Sequence, residues 1–375
     1  MAREIPEGTE KEEALDSLDV STLLDDLWVP ETEIRTTLHL LAKDAPVEIR
    51  AIGVPSGIDK TTGQPYTVAV VGMFDVAHRE DAVTAATKLS KHGAKAVYCT
   101  LQHISDARIA RLTALGKMNR LYRGKDAEAT SDTDIDEYCW LLLDTDPERT
   151  PKQISSTNEE LAEAEALACR IEQELTGLGW AAPARGHSGN GAHRLYRIRL
   201  SAAEGTELIP RVLQGLSDRY STASVKVDTS VGNPSRITKI YGTMTRKGGN
   251  TQERPHRYAR IGDIPTTLDV VSREQLEAVA VPVGTTVTAS PSASVTSKGP
   301  GMTVWLGRYG NALQTILGGP VGAVIPGKDG WTRYCLPRCP FDPTHQGRDA
   351  VLLESPTGII GFKCLHDSCK DKHIA

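Results

Sequence analysis

The sequence of 375 residues predicts an α/β protein of the α+β kind, with a small second unit at its C-terminal end. Three observations support this organisation. Strand-like runs alternate with stretches of helical periodicity through the first 275 residues. A segment at 276–300 is then dominated by Ser, Thr and Pro, a composition typical of a linker. Four of the seven cysteines follow within the last 41 residues. We therefore expect an acidic extension at 1–34, a main domain at 35–275, the linker, and a small module at 301–375.

The individual elements of the main domain follow from their residue patterns. Apolar helical spacing predicts helices at 79–92 and 206–220, and a further one through Leu161 and Leu178. Ser156 and Glu159 form a capping box ahead of that helix. Apolar or alternating runs rich in β-formers predict strands at 47–54, 66–74, 95–101, 138–144, 194–200 and 224–228.

Composition and charge exclude several classes of protein. No apolar run approaches the roughly 18 residues that a membrane span needs, and the acidic N-terminus lacks the apolar core of a secretory signal. Cysteines clustered beside histidines are typical of metal ligation in a reducing cytoplasm, where disulfides are rare. The net charge of −5 conceals a basic stretch at 185–260, with 14 Lys/Arg against 5 Asp/Glu. This stretch indicates either a surface for phosphates or solvated basic loops.

Two acids end the strand at 138–144. If the backbone stays extended through Asp144-Thr145-Asp146, alternation places both carboxylates on one face of the sheet. Carboxylates in this arrangement are hard-oxygen ligands for Mg²⁺ or Mn²⁺. A plain strand exit is the ordinary alternative, and Pro147 fits it.

A glycine-rich segment, Ser188-Gly189-Asn190-Gly191-Ala192-His193, precedes the strand at 194–200. Small residues let a ligand approach the backbone, successive N–H groups can hold an anion, and His193 can donate a hydrogen bond to a phosphate. The alternative is a glycine-rich hairpin that carries a surface histidine.

A third acid, Asp228, ends the strand at 224–228, and Arg236, Lys239, Arg246 and Lys247 follow it. Read alone, Asp228 is equally consistent with a cap or turn acid, and the cations with a solvated face. Together with the acid pair and His193, these residues supply the parts of a two-metal nucleotidyl-transfer site: oxygen ligands for metals and cations for a triphosphate.

At this point the sequence resembles the archaeo-eukaryotic primase superfamily, especially bacterial and phage primase-polymerases. Asp144 and Asp146 in WLLLDTDP match the paired metal-binding acids of that family, His193 in SGNGAH matches its small-x-His motif, and Asp228 in VKVDTSVGNPSRITKIYGT matches its third acid. The resemblance covers residues 35–265. It implies a catalytic core that pairs an α/β unit with an RRM-like unit.

The resemblance also implies roles for the matched residues. Asp144, Asp146 and Asp228 would hold two Mg²⁺ or Mn²⁺ ions. His193 and the turn Ser188, Gly189, Asn190 and Gly191 would bind the incoming nucleotide, with Arg236 and Lys239 facing its triphosphate or the template. The implied substrates are single-stranded DNA and NTPs or dNTPs.

The C-terminal cysteines have a spacing suited to metal ligation. Cys339, His345, Cys364 and Cys369 form C-x5-H-x18-C-x4-C, and thiolates with an imidazole favour tetrahedral Zn²⁺. A hairpin over 350–362, turning at 356–358, would bring the two ligand pairs together. His366 and Cys335 are alternative ligands. Unrelated buried or surface cysteines are the other explanation for this density.

Similar zinc modules follow the catalytic domain in phage-type primase-helicases, where a helicase usually comes next. This chain stops at Ala375, so a separate helicase is a candidate partner. We expect a DNA primase or DNA polymerase that serves replication of a phage, plasmid or other mobile element. Two alternatives stay open: a non-catalytic replication initiator that binds DNA with the same fold, and a metal-dependent nuclease in which the same acids activate water.

Overall fold

The computed structural model describes residues 29–283 and, nearer the C-terminus, residues 302, 306, 317, 324–326, 331–342, 345, 350–355, 360–364 and 369. The chain divides into two compact units, Met1–Pro291 and Ser292–Ala375. The expected acidic extension lies outside the described residues up to residue 28, and the expected linker lies outside them from residue 284.

The first unit combines helices with antiparallel sheets, which confirms the predicted α/β fold class. Its helices are α1 (Pro30–Ala42), α2 (Arg79–Lys91), α3 (Asp106–Ala114), α4 (Asn158–Gly177), α5 (Ala202–Tyr220) and α6 (Arg273–Val279). Its strands are β1 (Val47–Ile58), β2 (Pro65–Phe74), β3 (Ala96–Thr100), β4 (His103–Ile104), β5 (Arg120–Arg123), β6 (Ile135–Pro147), β7 (Ala184–His187), β8 (Ala192–Ser201), β9 (Val225–Val227), β10 (Ile237–Lys239), β11 (Met244–Thr245), β12 (Arg257–Tyr258) and β13 (Arg260–Ile261).

The first sheet has the strand order β10-β3-β1-β2-β5, and all its pairs are antiparallel. One face carries Ile49, Ala51 and Val97, all fully buried, because helix α2 packs on strands β1 and β3. Successive side chains alternate between faces, so Ile52, Tyr98 and Lys239 share the opposite face. This second face forms one wall of the site described below.

The second sheet has the order β13-β7-β8-β6-β4, and β9 also pairs with the C-terminal end of β6. Helices α4 and α5 both pack against β6, β8 and β9. On that side of β6 the Thr145 hydroxyl donates to the carbonyl oxygen of Ala164 in α4 at 2.9 Å. The alternating residues Asp144 and Asp146 therefore face away from these helices.

The capping box predicted at Ser156 and Glu159 is wrong by one residue. Thr157 is the N-cap of α4: its hydroxyl accepts from the Glu160 N–H, and the Glu160 carboxylate accepts from the Thr157 N–H. Ser156 is engaged elsewhere, because its hydroxyl donates to the carbonyl oxygen of Asn190 at 2.6 Å. Leu178, expected on the apolar face of this helix, lies at the C-cap and is 57% exposed.

Two expected domain boundaries coincide with helices. Helix α1 begins before residue 35, and its Ile34 is buried in the main core. Helix α6 spans the expected boundary at residue 275, and its Leu276 and Val279 join the same core. Among the described residues, no helix is long and apolar enough to cross a membrane.

The described part of the second unit contains one antiparallel sheet in the order β14 (Val324–Pro326), β15 (Thr332–Cys335), β16 (Ala350–Glu354) and β17 (Ile360–Cys364). Strands β16 and β17 form the expected hairpin, with Ala350 opposite Cys364. The turn expected at 356–358 lies outside the described residues. Leu336 and Leu352 lie in a small core together with three of the cysteines.

Candidate active site

A cavity of about 770 Å³ lies in the first unit and is lined by residues of both sheets. All three predicted acids, His193 and both predicted cations line it. From the predicted glycine-rich turn, Ser188 and Asn190 do so as well. Arg246 and Lys247, the other two cations that the sequence analysis noted after Asp228, line the same cavity, and so does Lys95. The structure therefore brings together most of the side chains that the sequence singled out for chemistry.

His193, Asp144 and Asp228 form a row across three adjacent strands. Asp144 on β6 is paired with His193 on β8, and the β6–β9 pairing places Asp228 on its other side. The Asp228 N–H continues that pairing by donating to the Asp144 carbonyl oxygen at 2.8 Å. The Asp228 carboxylate also accepts from the Ser230 N–H, so the residue caps the 3-10 turn Thr229–Gly232. The sequence left two roles open for Asp228, a turn cap and an acid of the site. In the structure Asp228 caps this turn and also lines the cavity.

Three positively charged or hydrogen-bonding side chains stabilise the carboxylate form of Asp144. Its Oδ2 lies 3.7 Å from Nε2 of His193. Burial disfavours the ionised form of Asp144, but its interactions with His193, Arg236 and Lys247 outweigh this effect and lower the pKa of the carboxyl. Asp144 is therefore held as a carboxylate at neutral pH, which is the form that ligates a cation.

Asp146 has a partner that sequence reasoning missed. The guanidinium of Arg149 donates to both oxygens of Asp146, at 3.0 and 2.7 Å. Arg149 is almost fully buried and also donates to the Ser156 hydroxyl. Burial and the nearby charge of Asp144 raise the pKa of Asp146, while Arg149 opposes the rise. The sequence signal was present, since an arginine three residues after an acid can turn back to it.

A buried tyrosine orients His193. The Tyr241 hydroxyl lies 3.0 Å from Nδ1 of His193, and the two rings meet edge to face. Since both residues are buried, the imidazole has a fixed orientation, with Nε2 directed to Asp144. Nothing in the sequence around Tyr241 indicated this pairing.

The glycine-rich segment forms the tight turn between β7 and β8, and its N–H groups serve the turn itself. The N–H groups of Asn190 and Gly191 donate to the Ser188 hydroxyl, and that of Gly189 donates to Nδ1 of His187. The expected backbone cradle for an anion is therefore not formed. Instead, Gly191 allows close packing, because a Cβ there would lie 2.5 Å from the Thr145 carbonyl oxygen. Gly189 adopts a φ of +90°.

Three cations of the cavity, Arg236, Lys239 and Lys247, are partly or fully buried. Burial lowers the pKa of Arg236 and of Lys247, and neighbouring site carboxylates oppose the change in both. Arg236 donates to the Ser230 carbonyl oxygen. Lys239 is buried, with its Nζ 4.3 Å from the centre of the Tyr98 ring. Desolvated cations interact strongly with anions, so this side of the cavity suits a polyphosphate.

The second unit contains a separate Cys/His cluster. One ligand atom from each of Cys339, His345, Cys364 and Cys369 lies within 4.8 Å of the others, so this group could hold a metal ion. The Cys339 and Cys369 sulfurs are 3.7 Å apart, close to the ~3.8 Å that tetrahedral Zn–S geometry requires.

The surroundings of the cluster also fit metal ligation. Nε2 of His345 lies 3.4 Å from a carboxylate oxygen of Asp342, an outer partner of the kind that orients ligating histidines. Cys335, held as an alternative ligand, is buried but is not part of the group. His366 lies outside the described residues.

No protein-family model matches the chain, and no curated protein matches it. Among solved structures, the chain is similar to the AEP domain of the primase-polymerase of cyanophage S-2L, with 16% identity and a TM-score of 0.37. That match covers 67% of this chain and 97% of the other.

Two further structural neighbours are primases. The catalytic domain of primase RepB′ in complex with initiator DNA has 11% identity and a TM-score of 0.35, over 67% of this chain and 94% of that one. Primase RepB′ itself has the same identity and TM-score, over 67% of this chain and 62% of that one.

Proposed function

We propose that this chain is a template-dependent nucleotidyltransferase, a DNA primase or DNA polymerase, that uses NTPs or dNTPs on single-stranded DNA. One observation carries the proposal: the row His193–Asp144–Asp228, with Asp146 beside it, faces a cavity whose other charged residues are lysines and arginines. Acids next to desolvated cations fit a reaction on a polyphosphate, because the acids can hold metal ions while the cations hold the phosphates.

The carboxylates fit the divalent ions that this chemistry needs. Asp144 and Asp146 are on the same side of β6, and the backbone N–H of Asp228 is hydrogen-bonded to the carbonyl oxygen of Asp144. All three side chains therefore line the same cavity. Oxygen donors of this kind suit Mg²⁺ or Mn²⁺. Two such ions, when bound, lower the pKa of an attacking 3′-hydroxyl and neutralise charge on the phosphates.

The remaining residues of the cavity have roles that follow from their positions. Arg236 and Lys239 bind the phosphates as fixed positive charges, and Lys247 adds a third charge near the acid pair. His193, oriented by Tyr241, lines the cavity with Nε2 beside Asp144 and can donate from this nitrogen to a phosphate oxygen. Ser188 and Asn190 line the same cavity.

The second unit supports this activity as a zinc module. Cys339, His345, Cys364 and Cys369 hold one structural zinc ion, and the module grips the template or the initiating nucleotide. A separate helicase would unwind duplex ahead of the enzyme. The biological setting that fits this combination is replication of a phage, plasmid or other mobile element.

A primer-synthesis assay tests the proposal. The full-length protein is incubated with single-stranded DNA, Mg²⁺ or Mn²⁺, and NTPs or dNTPs, with and without an annealed primer. We expect new or extended strands that disappear with Asp144→Asn. Asp136→Asn is the matched control, because Asp136 is on the same strand but pairs with His103 and does not line the cavity. Shortened DNA would identify a nuclease, and binding without synthesis would identify an initiator protein.

A further inference from the structure

The cavity has two chemically different walls. The second sheet contributes the acids and His193, whereas the first sheet contributes an apolar wall of Ile52, Ala96 and Tyr98 beside Ile237, Thr238 and Lys239 of β10. The proposed function uses the acids and cations and leaves this apolar wall without a role. Ile52 is 44% exposed although β1 is the central strand of its sheet. A large apolar side chain exposed inside a charged cavity points to a ligand with an apolar part.

The three residues form a shallow depression on the open face of the first sheet. Ile52 on β1 is directly opposite Ala96 on β3. Tyr98 is two residues further along β3 and therefore faces the same way. The intervening residue Val97 is buried on the opposite face. Ala96 has a much smaller side chain than its neighbours and is only 5% exposed, so Ile52 and Tyr98 offer most of the apolar surface to a flat group.

A β-bulge on β1 involves Ile52 and the residue after it. Ala51 pairs with Val70 and Val54 with Val68, so Ile52 and Gly53 together face a single residue of β2. Gly53 has a φ of +65°, and a Cβ there would lie 2.6 Å from the Lys95 side chain. A bulge of this kind re-aims the side chain next to it. Ile52 is exposed because alternation places it on the cavity face of a central strand, and the bulge returns the next large side chain, Val54, to the buried face.

Tyr98 connects the apolar wall to the charged part of the cavity. Lys239 is paired with Tyr98 across β10 and β3, and its Nζ lies 4.3 Å from the ring centre. The ammonium group is thus held between the aromatic ring and the side of the cavity that carries Arg236. A ligand that spans both regions needs a polyanionic end and a flat apolar end.

We propose that Tyr98, Ala96 and Ile52 form a nucleoside subsite, on which the base and sugar of a nucleoside triphosphate pack while its phosphates lie toward Lys239 and Arg236. The inference rests on the proposed function and specifies which residues recognise the part of the substrate that does not react. A bare polyphosphate would use the cations alone and leave the apolar wall in water.

Isothermal titration of the full-length protein in Mg²⁺ buffer tests the subsite with two probes, dGTP and inorganic tripolyphosphate. We expect Tyr98→Ala to weaken dGTP binding by about fivefold or more, since stacking on an aromatic ring contributes this much. Tripolyphosphate binding should stay within about twofold. Tyr98→Phe should keep dGTP affinity, and Ala96→Leu, which fills the depression, should lower it. Tyr122→Ala is the matched control, because Tyr122 is on β5 of the same sheet and does not line the cavity.

The outcomes separate the two proposals. If neither probe binds the unmodified protein, the proposed function fails. If dGTP binds but Tyr98→Ala and Ala96→Leu leave its affinity unchanged, the subsite is wrong while the proposed function stands. An equal loss for dGTP and tripolyphosphate would also overturn the subsite, because Tyr98 would then act only by holding Lys239 for phosphate. Circular dichroism spectra that match the unmodified protein establish that each variant is folded.

Discussion

The backbone N–H of Asp228 donates a 2.8 Å hydrogen bond to the carbonyl oxygen of Asp144. This bond joins the end of β9 to β6 and sets the third acid beside the first. It does not involve either carboxylate, so the sheet fixes the position of Asp228, whose carboxylate accepts from the Ser230 N–H and also lines the cavity. A mutation can therefore remove the negative charge of Asp228 without changing the position of its backbone.

Asp228→Asn should keep the fold and lose the activity. The amide oxygen of Asn can still accept from the Ser230 N–H, which the Asp228 side chain now does at 2.8 Å. The lost negative charge weakens metal binding, and we expect primer extension to fall by about 100-fold or more. Extension kinetics and a thermal melt measure the two effects. An extension rate equal to that of the unmodified protein would remove Asp228 from the metal site.

Arg149→Met should destabilise the protein. The substitution leaves the Ser156 hydroxyl and the Asp146 carboxylate without their buried donor. We expect a loss of about 1–3 kcal/mol in the free energy of unfolding. Asp146 is 40% exposed, and solvent screening keeps the cost below that of a fully buried pair. Urea unfolding measures it, with Arg149→Lys as the charge-retaining control.

Mn²⁺ gives a second measurement on the same variant. A bound cation supplies the positive charge that Asp146 loses, so added Mn²⁺ should narrow the difference in unfolding free energy between Arg149→Met and the unmodified protein. An undiminished difference at saturating Mn²⁺ would count against Asp146 as a ligand.

Tyr241→Phe should impair catalysis more than folding. The variant removes the hydroxyl that contacts Nδ1 of His193 and leaves that buried nitrogen without this partner, at a cost of about 1–2 kcal/mol. His193 then loses its fixed orientation, and we expect a higher KM for the nucleotide or a lower kcat. Tyr220→Phe, which removes a hydroxyl bound to Glu174 on the surface, is the control. Unchanged kinetics in Tyr241→Phe would show that the orientation of His193 does not matter.

His187 should make the first unit sensitive to acid. Burial, followed by the neighbouring positive groups, lowers the pKa of His187 from 6.5 to about 4. Its Nδ1 accepts from the Gly189 N–H, which requires the neutral ring. Below pH 6.5 His187 is protonated in the unfolded chain, whereas in the folded chain it is protonated only below about pH 4. The free energy of unfolding therefore falls as the pH drops from 6.5 to about 4.

Urea unfolding between pH 7.5 and pH 4.5 measures this effect. We expect His187 to account for about 2 kcal/mol of the loss, and His187→Asn should flatten the curve. His78 is the control, since its contact with Asp75 raises the pKa of His78. Its contribution to stability is present below pH 6.5 and is lost as the pH rises, so His78→Asn should not remove the acid sensitivity. A curve unchanged by His187→Asn would show that His187 titrates normally.

Local patterns in the sequence were sufficient for the parts of the site that depend on one strand. Alternation alone placed Asp144 and Asp146 on the same side of β6, and spacing alone grouped Cys339 with His345. The row His193–Asp144–Asp228 could not be derived in this way, because strand order and register depend on the packing of the whole sheet. Each of these residues was selected from its own strand end or turn, and the sequence alone did not show that they are neighbours in the sheet.

The errors have a common physical cause. Ser156 and the N–H groups of the Ser188–Gly191 turn were assigned to the functions that their residue types perform most often. In the structure each of these groups already has a partner, such as the Asn190 carbonyl oxygen for the Ser156 hydroxyl. Such competition for hydrogen bonds is set by tertiary contacts. Arg149 was missed although its spacing of three residues from Asp146 allows the contact, because the sequence does not show that the chain turns back at this point.

The Cys/His cluster should contain one zinc ion per chain and should matter more for starting strands than for extending them. The described part of the second unit has a small core, in which Cys339, Cys364 and Cys369 take part, so metal binding should supply much of its folding free energy. Metal analysis of Cys364→Ser should find the zinc lost. Cys335→Ser should keep it, because Cys335 is buried in the same unit but outside the cluster.

The activity of the same pair of variants tests the role of the module. A template-binding module in the same chain raises the effective concentration of template near Asp144. This effect matters most before a primer has annealed, because during extension the enzyme already binds a primer–template duplex. We therefore expect Cys364→Ser to lose synthesis without a primer by about tenfold or more, while extension of an annealed primer changes little. Cys335→Ser should retain both activities. Zinc retained in Cys364→Ser would refute the ligand assignment, and an equal loss of both activities would refute the division of labour.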